Sequence, residues 1–527
     1  MKKLLGLPFF VNNRGIIAQV YQYLLVLFVI AGLLTSLGIL EQGSINLLFL
    51  AVVLGLVGVF LSPEIEAKSK LSTYWLIVPL FLALGTRVIP YLNNKIPLGY
   101  DAGMYKFAFE HPGFESLKEL YSRLYITVMG GLSDLFGSYF LLVPLHILVT
   151  SLTVLVVYFV VKRLFSPEVG VLAAFLFALS GTQYDVFSFC FQKNALGLIL
   201  LLVSFLYFEK ASTINWQLIL VGVLIGSVHR PAFLLFGLVY IAYVVVHLKA
   251  FDDAGVKNAI VNGALILVIT LLVNWDRIVE YYFFGAFTFI DSIGPAEAEG
   301  GFYYSLSEYL YRSPIMIAFV LPGIVYAPRK SLPVLIAGIL LGLTIVFRLW
   351  FFRRFIIYLD LVIIIYAAAG LSHLMRDSFI NRRIPLGVLL CVVILFSLGI
   401  QLANLATETG PMISQEEFDA VLAIDDLVEP EAMVVLTDAY YAPWFRGWSE
   451  TDLVAPGLFE SDVLSYQQWE FIWYGDTEER LAIFRTFQPP LYIHQGTRTE
   501  NLIPFDEVCF QPIEVTGTRL YRFDCWE

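Results

Sequence analysis

Apolar runs long enough to cross a lipid bilayer recur from residue 21 to residue 402 and then stop. A bilayer core offers no water to backbone amides, so a chain that crosses it repeatedly must do so as helices or as a closed barrel. Runs of this length and greasiness select helices. They cover roughly 21–40, 45–61, 72–91, 139–161, 169–181, 190–208, 216–229, 231–247, 259–273, 314–327, 332–347, 355–371 and 385–402, about thirteen spans, several short or broken by Gly and Pro as in helices that line a cavity. Only 15% of the 527 residues are charged, against about a quarter in soluble domains. The mean hydropathy of +0.76 agrees. The net charge of −11 is concentrated in the polar tail, so two solvents act on two parts of one chain.

Lys and Arg fall in small groups between the runs, too dispersed for a nucleic-acid surface. With the N-terminus in the cytoplasm, alternate loops hold Lys2, Lys3 and Arg14, then Lys68 and Lys70, Lys162 and Arg163, Lys210, Lys249 and Lys257, Arg329 and Lys330, and Arg376, Arg382 and Arg383. This is the cytoplasmic set by the positive-inside rule. The N-terminal MKKLLGLPFFVNNRG lacks a short apolar segment ending in a small-residue cleavage site, so no removable signal peptide is expected there. The opposite face receives 92–138, 182–189, the turn at His229, 274–313, 348–354 and the tail from about 403. A multi-pass plasma-membrane protein follows, with a cytoplasmic N-terminus and an extracytoplasmic C-terminal domain.

The outer loops carry structure of their own. Residues 115–133 place Leu117, Leu120, Tyr121, Leu124 and Val128 at helical spacing opposite Lys118, Glu119, Ser122 and Arg123, which predicts a helix lying in the interface. The aromatic 274–313 segment, punctuated by Gly and Pro, has the length of a lid or binding loop.

Polar groups flanked closely by hydrocarbon-compatible sequence are costly unless paired or ligated. Asp101 follows PLGY; His229 and Arg230 interrupt VLIGSVHRPAFLLFG; Arg348, Arg353 and Arg354 stand in FRLWFFRRFIIYLD. Each has a plainer reading: Asp101 as a turn former, His229 as a packed histidine, Arg230 in a structural pair, the three arginines snorkelling to headgroups. The functional reading joins them. Arginines bind phosphate through charge-assisted, often bidentate hydrogen bonds. A carboxylate in reach of an acceptor hydroxyl serves as general base. Displacing a phosphate from a sugar's anomeric carbon needs both.

In YDAGMY (Tyr100 to Tyr105), the SVHRP turn and the RRF segment opening the twelfth run, with an outer-loop Asp after an early span, an amphipathic helix behind it and a polar C-terminal domain, the chain resembles the GT-C superfamily of integral-membrane glycosyltransferases, distantly the protein mannosyltransferases and oligosaccharyltransferases. The resemblance covers roughly residues 70 to 400, and the extra hairpin before residue 62 departs from the simplest layout. It implies an inverting enzyme using a polyprenyl-phosphate-linked sugar, with Asp101 as the candidate base. Tyr100 and Tyr105 are then candidates to frame the sugar, and His229, Arg230, Arg348, Arg353 and Arg354 to bind the donor. Oligosaccharyltransferases hold a divalent metal with an Asp-x-Asp type pair; here Ala102 and Gly103 follow Asp101, so a metal is not expected. Asp185, in SGTQYDVFSF, is the candidate second acid, and Glu110 the next base in line. Membrane lipid, the lipid-linked donor and an extracytoplasmic glycan or protein acceptor are the partners implied.

The tail reads as a small α/β domain. EAMVVLTDAY and PLYIHQ are strand-like and DTEERLAIFRTF helical, while Trp444, Trp448, Trp469 and Trp473 suit either sugar stacking or packing. In VCFQPIEVTGTRLYRFDCW two alternating runs joined through TGTR predict a hairpin bringing Cys509 near Cys525: a disulfide if the tail is outside the cytoplasm, two free thiols if inside. Cys190 and Cys391 lie in apolar segments and are expected as small buried residues.

The expected architecture is mostly α, a polytopic GT-C-like bundle with a C-terminal extracytoplasmic α/β domain. Its parts are an N-terminal membrane hairpin (1–70), a catalytic membrane domain (71–402) and the tail domain (403–527). Two other classes remain open. A transporter or flippase for a lipid-linked sugar would use buried charge inside spans, where Asp360 in FIIYLDLVIII is the best point in its favour. A non-catalytic scaffold of an envelope glycan system would leave the arginines without a task.

Overall fold

The computed structural model describes residues 73–279 apart from 115 and 116, 282, 305–349 apart from 313 and 326, 352–376, 386–458, 461–499, 503, 505 and 508–526, with a few positions before residue 55. The first two expected runs, 21–40 and 45–61, therefore lie almost wholly outside the described residues, as does most of the 274–313 loop. From residue 72 onward every expected run contains a helix. Among the described residues seven helices are long and apolar enough to cross a membrane: Thr73–Tyr91, Ser138–Leu164, Arg230–His247, Asp253–Val273, Arg329–Val346, Ile356–His373 and Cys391–Glu408. An eighth span arises if Pro167–Ala178 and Gly181–Ser188, bent by 54°, are counted as one. The runs at 190–208, 216–229 and 314–327 form the shorter apolar helices Gln192–Ser204, Trp216–Val228 and Ile315–Val325. The chain is a multi-pass membrane protein.

The helices divide between two compact units, each assembled from separated stretches of sequence. The first comprises residues 1–90, 147–187 and 192–409. Its centre is Ile356–Arg376, whose spanning part is 83% buried. Apolar side chains gain little from meeting one another in lipid, so close approach relies on small residues. Gly370 meets the backbone of Pro314–Val325, where a Cβ would stand 3.0 Å from the carbonyl carbon of Phe319 and 3.2 Å from the amide of Gly323. Gly222 and Gly226, four residues apart on Trp216–Val228, accept Ile266 and Thr270 of Asp253–Val273 at 2.9 and 2.7 Å from where their Cβ atoms would be.

The second unit comprises residues 91–146, 188–191 and 410–527. Its sheet has strands β1 (Met433–Leu436), β2 (Asp452–Val454), β3 (Leu491–Gln495), β4 (Phe510–Ile513) and β5 (Arg519–Phe523) in the order β2-β1-β3-β5-β4. β2, β1 and β3 run parallel, with Val434 opposite Leu453 and Tyr492; β5 and β4 are antiparallel, with Phe523 opposite Leu491 and Phe510. All five residues of the central strand β3 are buried, as expected where both faces are covered. Pro512 sits in the edge strand β4, where a missing amide does least harm. Val435, Trp469, Ile472, Phe484, Ile493, Phe510 and Phe523 form the core. Capping boxes start three helices: Ser414 with Glu417 at Gln415–Leu427, Ser465 with Gln468 at Tyr466–Tyr474, and Asp476 with Glu479 at Thr477–Phe484. The expected hairpin turns through Gly517 at φ 87°, and the Cys509 and Cys525 sulfurs are bonded outside its two ends.

The interfacial helix expected over 115–133 is broken. Leu117–Leu120 ends, and Ser122 caps a new helix, Arg123–Phe136, by accepting from the amide of Tyr125. The restart turns the apolar face: Tyr125, Ile126 and Met129 are buried while Val128 is 50% exposed.

Candidate functional site

The candidate residues divide between the units: Asp101, Tyr100 and Tyr105 belong to the second, and His229, Arg230, Arg348, Arg353, Arg354 and Asp185 to the first.

Asp101 stands immediately before helix Ala102–Glu110, and no side-chain bond from it caps that helix. The loop before it is fixed by close backbone contacts. Gly99 has φ 82°, and a Cβ there would lie 2.7 Å from the amide of Cys190, so only glycine fits. The Tyr100 hydroxyl donates to the carbonyl of Ala439 at 2.9 Å. Ala102–Glu110 packs on Ala442–Trp448 through Gly103 and Gly447, with 2.6 Å between the Gly103 Cα and the place a Gly447 Cβ would take. A Gly103 Cβ would run into the carbonyl of Pro443. The Arg446 guanidinium covers the rings of Phe107 at 3.9 Å and Phe114 at 4.8 Å.

Tyr105 is buried, 5.7 Å from the ring of Phe109 and 5.8 Å from that of Tyr121, which stacks on Tyr125. Asp101 acts electrostatically on this cluster. Burial first, then the charges of Asp101 and Asp438, push the Tyr100 phenol up to about 12. Burial also holds Tyr105 and Tyr121 well above the usual range, with Asp101 adding to it. These phenols keep their protons at neutral pH. Glu110 is otherwise committed: it pairs with Lys106 at 2.6 Å and accepts from Ser138 at 2.6 Å.

In the first unit, extended backbone at His229 (φ −149°, ψ 111°) separates Trp216–Val228 from Arg230–His247, with Pro231 in the first turn of the latter. The His229 ring is buried and its Nδ1 pairs with the Tyr358 hydroxyl at 2.9 Å. Gly197 makes room for both, since a Cβ there would meet the Cβ of His229 at 3.0 Å and the Tyr358 hydroxyl at 3.2 Å. Lys193, Arg230 and Arg354 all act electrostatically on this ring, so three cations gather round one buried pair. Arg353 lies beside the Phe352 ring, and its Nε is buried without a hydrogen-bond partner among the described residues. Arg348 is exposed, in a left-handed turn (φ 50°) after Leu332–Val346. Asp185 is buried in Gly181–Ser188.

Three residues of this unit carry more than their sequence context suggested. Lys193, in FQKNALG, was hidden inside an apolar run. Arg87, also inside one, is fully buried and donates to Thr150 Oγ1 at 3.2 Å and to the carbonyl of Ala83 at 3.0 Å. Asp360 accepts from Ser180 at 2.8 Å, Gln183 at 2.9 Å and Tyr309 at 2.9 Å. Of the four tail tryptophans, Trp444 and Trp469 are buried, stacking on Trp448 and Trp473 at 5.2 and 5.9 Å, a packing arrangement. Among the described residues no three of His, Cys, Asp and Glu converge as a metal ion requires.

No family model and no curated protein matches the sequence. The fold does match solved structures. The apo oligosaccharyltransferase of Archaeoglobus fulgidus superposes with a TM-score of 0.58 at 14% identity over 81% of this chain and 70% of that one. The archaeal oligosaccharyltransferase AglB from Archaeoglobus fulgidus, in complex with an inhibitory peptide and a dolichol-phosphate, gives 0.53 at 14% over 87% and 75%. ArnT from Cupriavidus metallidurans bound to undecaprenyl phosphate gives 0.56 at 11% over 86% and 99%.

Proposed function

We propose that this chain is an inverting membrane glycosyltransferase that moves a sugar from a polyprenyl-phosphate-linked donor to a glycolipid, glycan or protein acceptor outside the cytoplasm. The supporting observation is the shared fold, over more than four-fifths of the chain, with two kinds of protein whose solved complexes contain a polyprenyl or dolichol phosphate. In this reading the Asp101 carboxylate takes the proton of the acceptor hydroxyl. The hydroxyl oxygen bonds to the anomeric carbon from the face opposite the phosphate, the carbon–phosphate oxygen bond breaks, and polyprenyl phosphate leaves with the electron pair. Arg230, Arg353, Arg354 and the added Lys193 stabilise the phosphate charge as it grows; Arg348 meets the donor at the headgroup level, and His229 with Tyr358 orients Arg354. Tyr100 and Tyr105, engaged in packing, act by positioning Asp101. Asp185 is kept as the candidate second acid. A divalent ion fits poorly: Asp101 is followed by Ala102 and Gly103, so no step is assigned to a metal. The transport reading loses its main support, because Asp360 is committed to three donors.

The test is incubation of the purified protein with radiolabelled polyprenyl-phosphate sugars of several kinds. Transfer or slow hydrolysis of at least one donor is expected; inertness toward all, with bound donor demonstrated, rejects the reading. The orientation is checked separately: protease added to cells with a permeabilised outer barrier should remove the Cys509–Cys525 tail and spare the spans.

A further inference from the structure

In the first unit a cavity of about 540 Å³ is lined by Phe159, Arg163, Phe205, Tyr207, Glu209, Lys210 and Lys330, with Leu164 and Leu206. Arg163 lies in the last turn of His146–Leu164, Phe205 to Lys210 follow Gln192–Ser204, and Lys330 lies in the turn Arg329–Ser331. Each cation therefore comes from a different loop, and all three loops belong to the set that the charge pattern places in the cytoplasm. Sequence alone gives no reason for three such loops to converge. Here they converge on one concavity.

Its chemistry is specific. Three cations face one acid, Glu209, leaving two positive charges in excess. Among the described residues Arg163, Lys210 and Lys330 form no ion pair that would cancel them. Phe205 is buried while Arg163 and Lys210 are exposed, so the wall is apolar and aromatic inside and cationic at the mouth. Phe159, 60% exposed, extends the apolar wall outward. The volume falls within the roughly 300–1,000 Å³ typical of small-molecule sites. A phosphate ringed by Lys and Arg, with acyl or glycerol carbon against aromatic side chains, satisfies both halves. Basic pockets among membrane helices on the cytoplasmic side suit anionic headgroups.

We propose that this cavity binds the phosphate of an anionic membrane lipid. It is separate from the His229 cluster: Trp216–Val228, 13 residues and about 20 Å of helix, runs from just beyond the Lys210 turn to His229. It is therefore independent of whether the chain transfers sugar.

The test is native mass spectrometry of the full-length protein after exchange into mixed phosphatidylglycerol and phosphatidylcholine micelles. Wild type should retain one phosphatidylglycerol in at least about tenfold preference, and the Arg163→Gln/Lys330→Gln variant should lose that preference. Arg163→Lys/Lys330→Arg should keep it, which separates lost charge from lost fold. Lys249→Gln/Lys257→Gln removes the same charge from the same expected face outside the cavity and should retain the lipid. Equal retention by Arg163→Gln/Lys330→Gln and wild type overturns the site, as does equal loss in the Lys249→Gln/Lys257→Gln control. Displacement of the lipid by millimolar inorganic phosphate would also overturn the lipid assignment, in favour of a soluble phosphate.

Discussion

Asp360 and Asp101 are both acids set among helices, and their surroundings differ in kind. Asp360 is fully buried and accepts from three donors on two segments, Ser180 and Gln183 on one and Tyr309 on the other. Asp101 is half-buried at the start of a helix it does not cap, beside phenols whose protons its own charge helps to retain. A buried carboxylate with its lone pairs satisfied is a tie between helices. Asp101 instead lies on a loop fixed by close backbone contacts at Gly99 and Gly103. The comparison teaches that two acids among helices can have settings of different kinds, one deep among donors from two neighbouring segments, the other on a shaped loop beside buried phenols.

The comparison breaks first at Asp101. Asp101→Asn keeps size and removes basicity, so transfer at matched protein amount should fall about 100-fold or more while donor binding and thermal midpoint hold. Near-normal transfer would return Asp101 to the status of a loop residue. Asp360→Leu should do the reverse. Three buried donors lose their acceptor, at about 1–3 kcal/mol for each left unsatisfied, so the midpoint should drop while transfer per folded molecule stays within about twofold. A catalytic collapse without destabilisation would contradict the assignment.

The cations sharpen the same contrast. Arg354→Ala should weaken donor binding by about tenfold, and Arg353→Lys, which keeps charge but loses the planar fork, should lower turnover by several-fold. Unchanged donor affinity in single Ala variants at Arg230, Arg353 and Arg354 would reject the phosphate role.

The smallest effect concerns pH. His494, on β3, is 2% exposed, packed by the rings of Tyr441 and Phe445, with neither ring nitrogen hydrogen-bonded among the described residues. Burial pushes it down to about 3, against the pull of Glu417. Its ordinary value is about 6.5. Between those values the unfolded state binds the extra proton, so stability is full above about pH 6.5 and falls as the pH drops toward 3. The slope is at most about 1.4 kcal/mol per pH unit. Tryptophan-detected melting between pH 7 and 5 should show that slope in wild type and lose it in His494→Phe.

Much of this was legible in the sequence. Apolar period and run length located the helices from residue 72 onward, and alternation located β1, β3 and the hairpin of β4 and β5. The three-residue β2 was too short to announce itself, and Ala442–Trp448 hid in a stretch rich in aromatics. Lys193 and Arg87 were invisible because one cation in a greasy run changes its hydropathy little. Ser122 enters the periodic pattern by its polarity, yet it acts as a cap, and a cap turns a helical face that periodicity alone continues. That residues 91–146 cluster with the tail was also unreadable, since nothing local in PLGYDAGMY encodes a partner hundreds of residues away.

That distance has a consequence for biosynthesis. The bond from the Tyr100 hydroxyl to the carbonyl of Ala439 joins residues 339 apart. At about 5–20 residues per second, a ribosome needs roughly 20–70 s to travel from one to the other. Throughout that interval the Asp101 loop exists without the segment that shapes it, while the helices between it and residue 408 are made one after another. A transcript cut short between residues 408 and 439 thus yields a chain with the membrane crossings found among the described residues and an unfinished loop at Asp101.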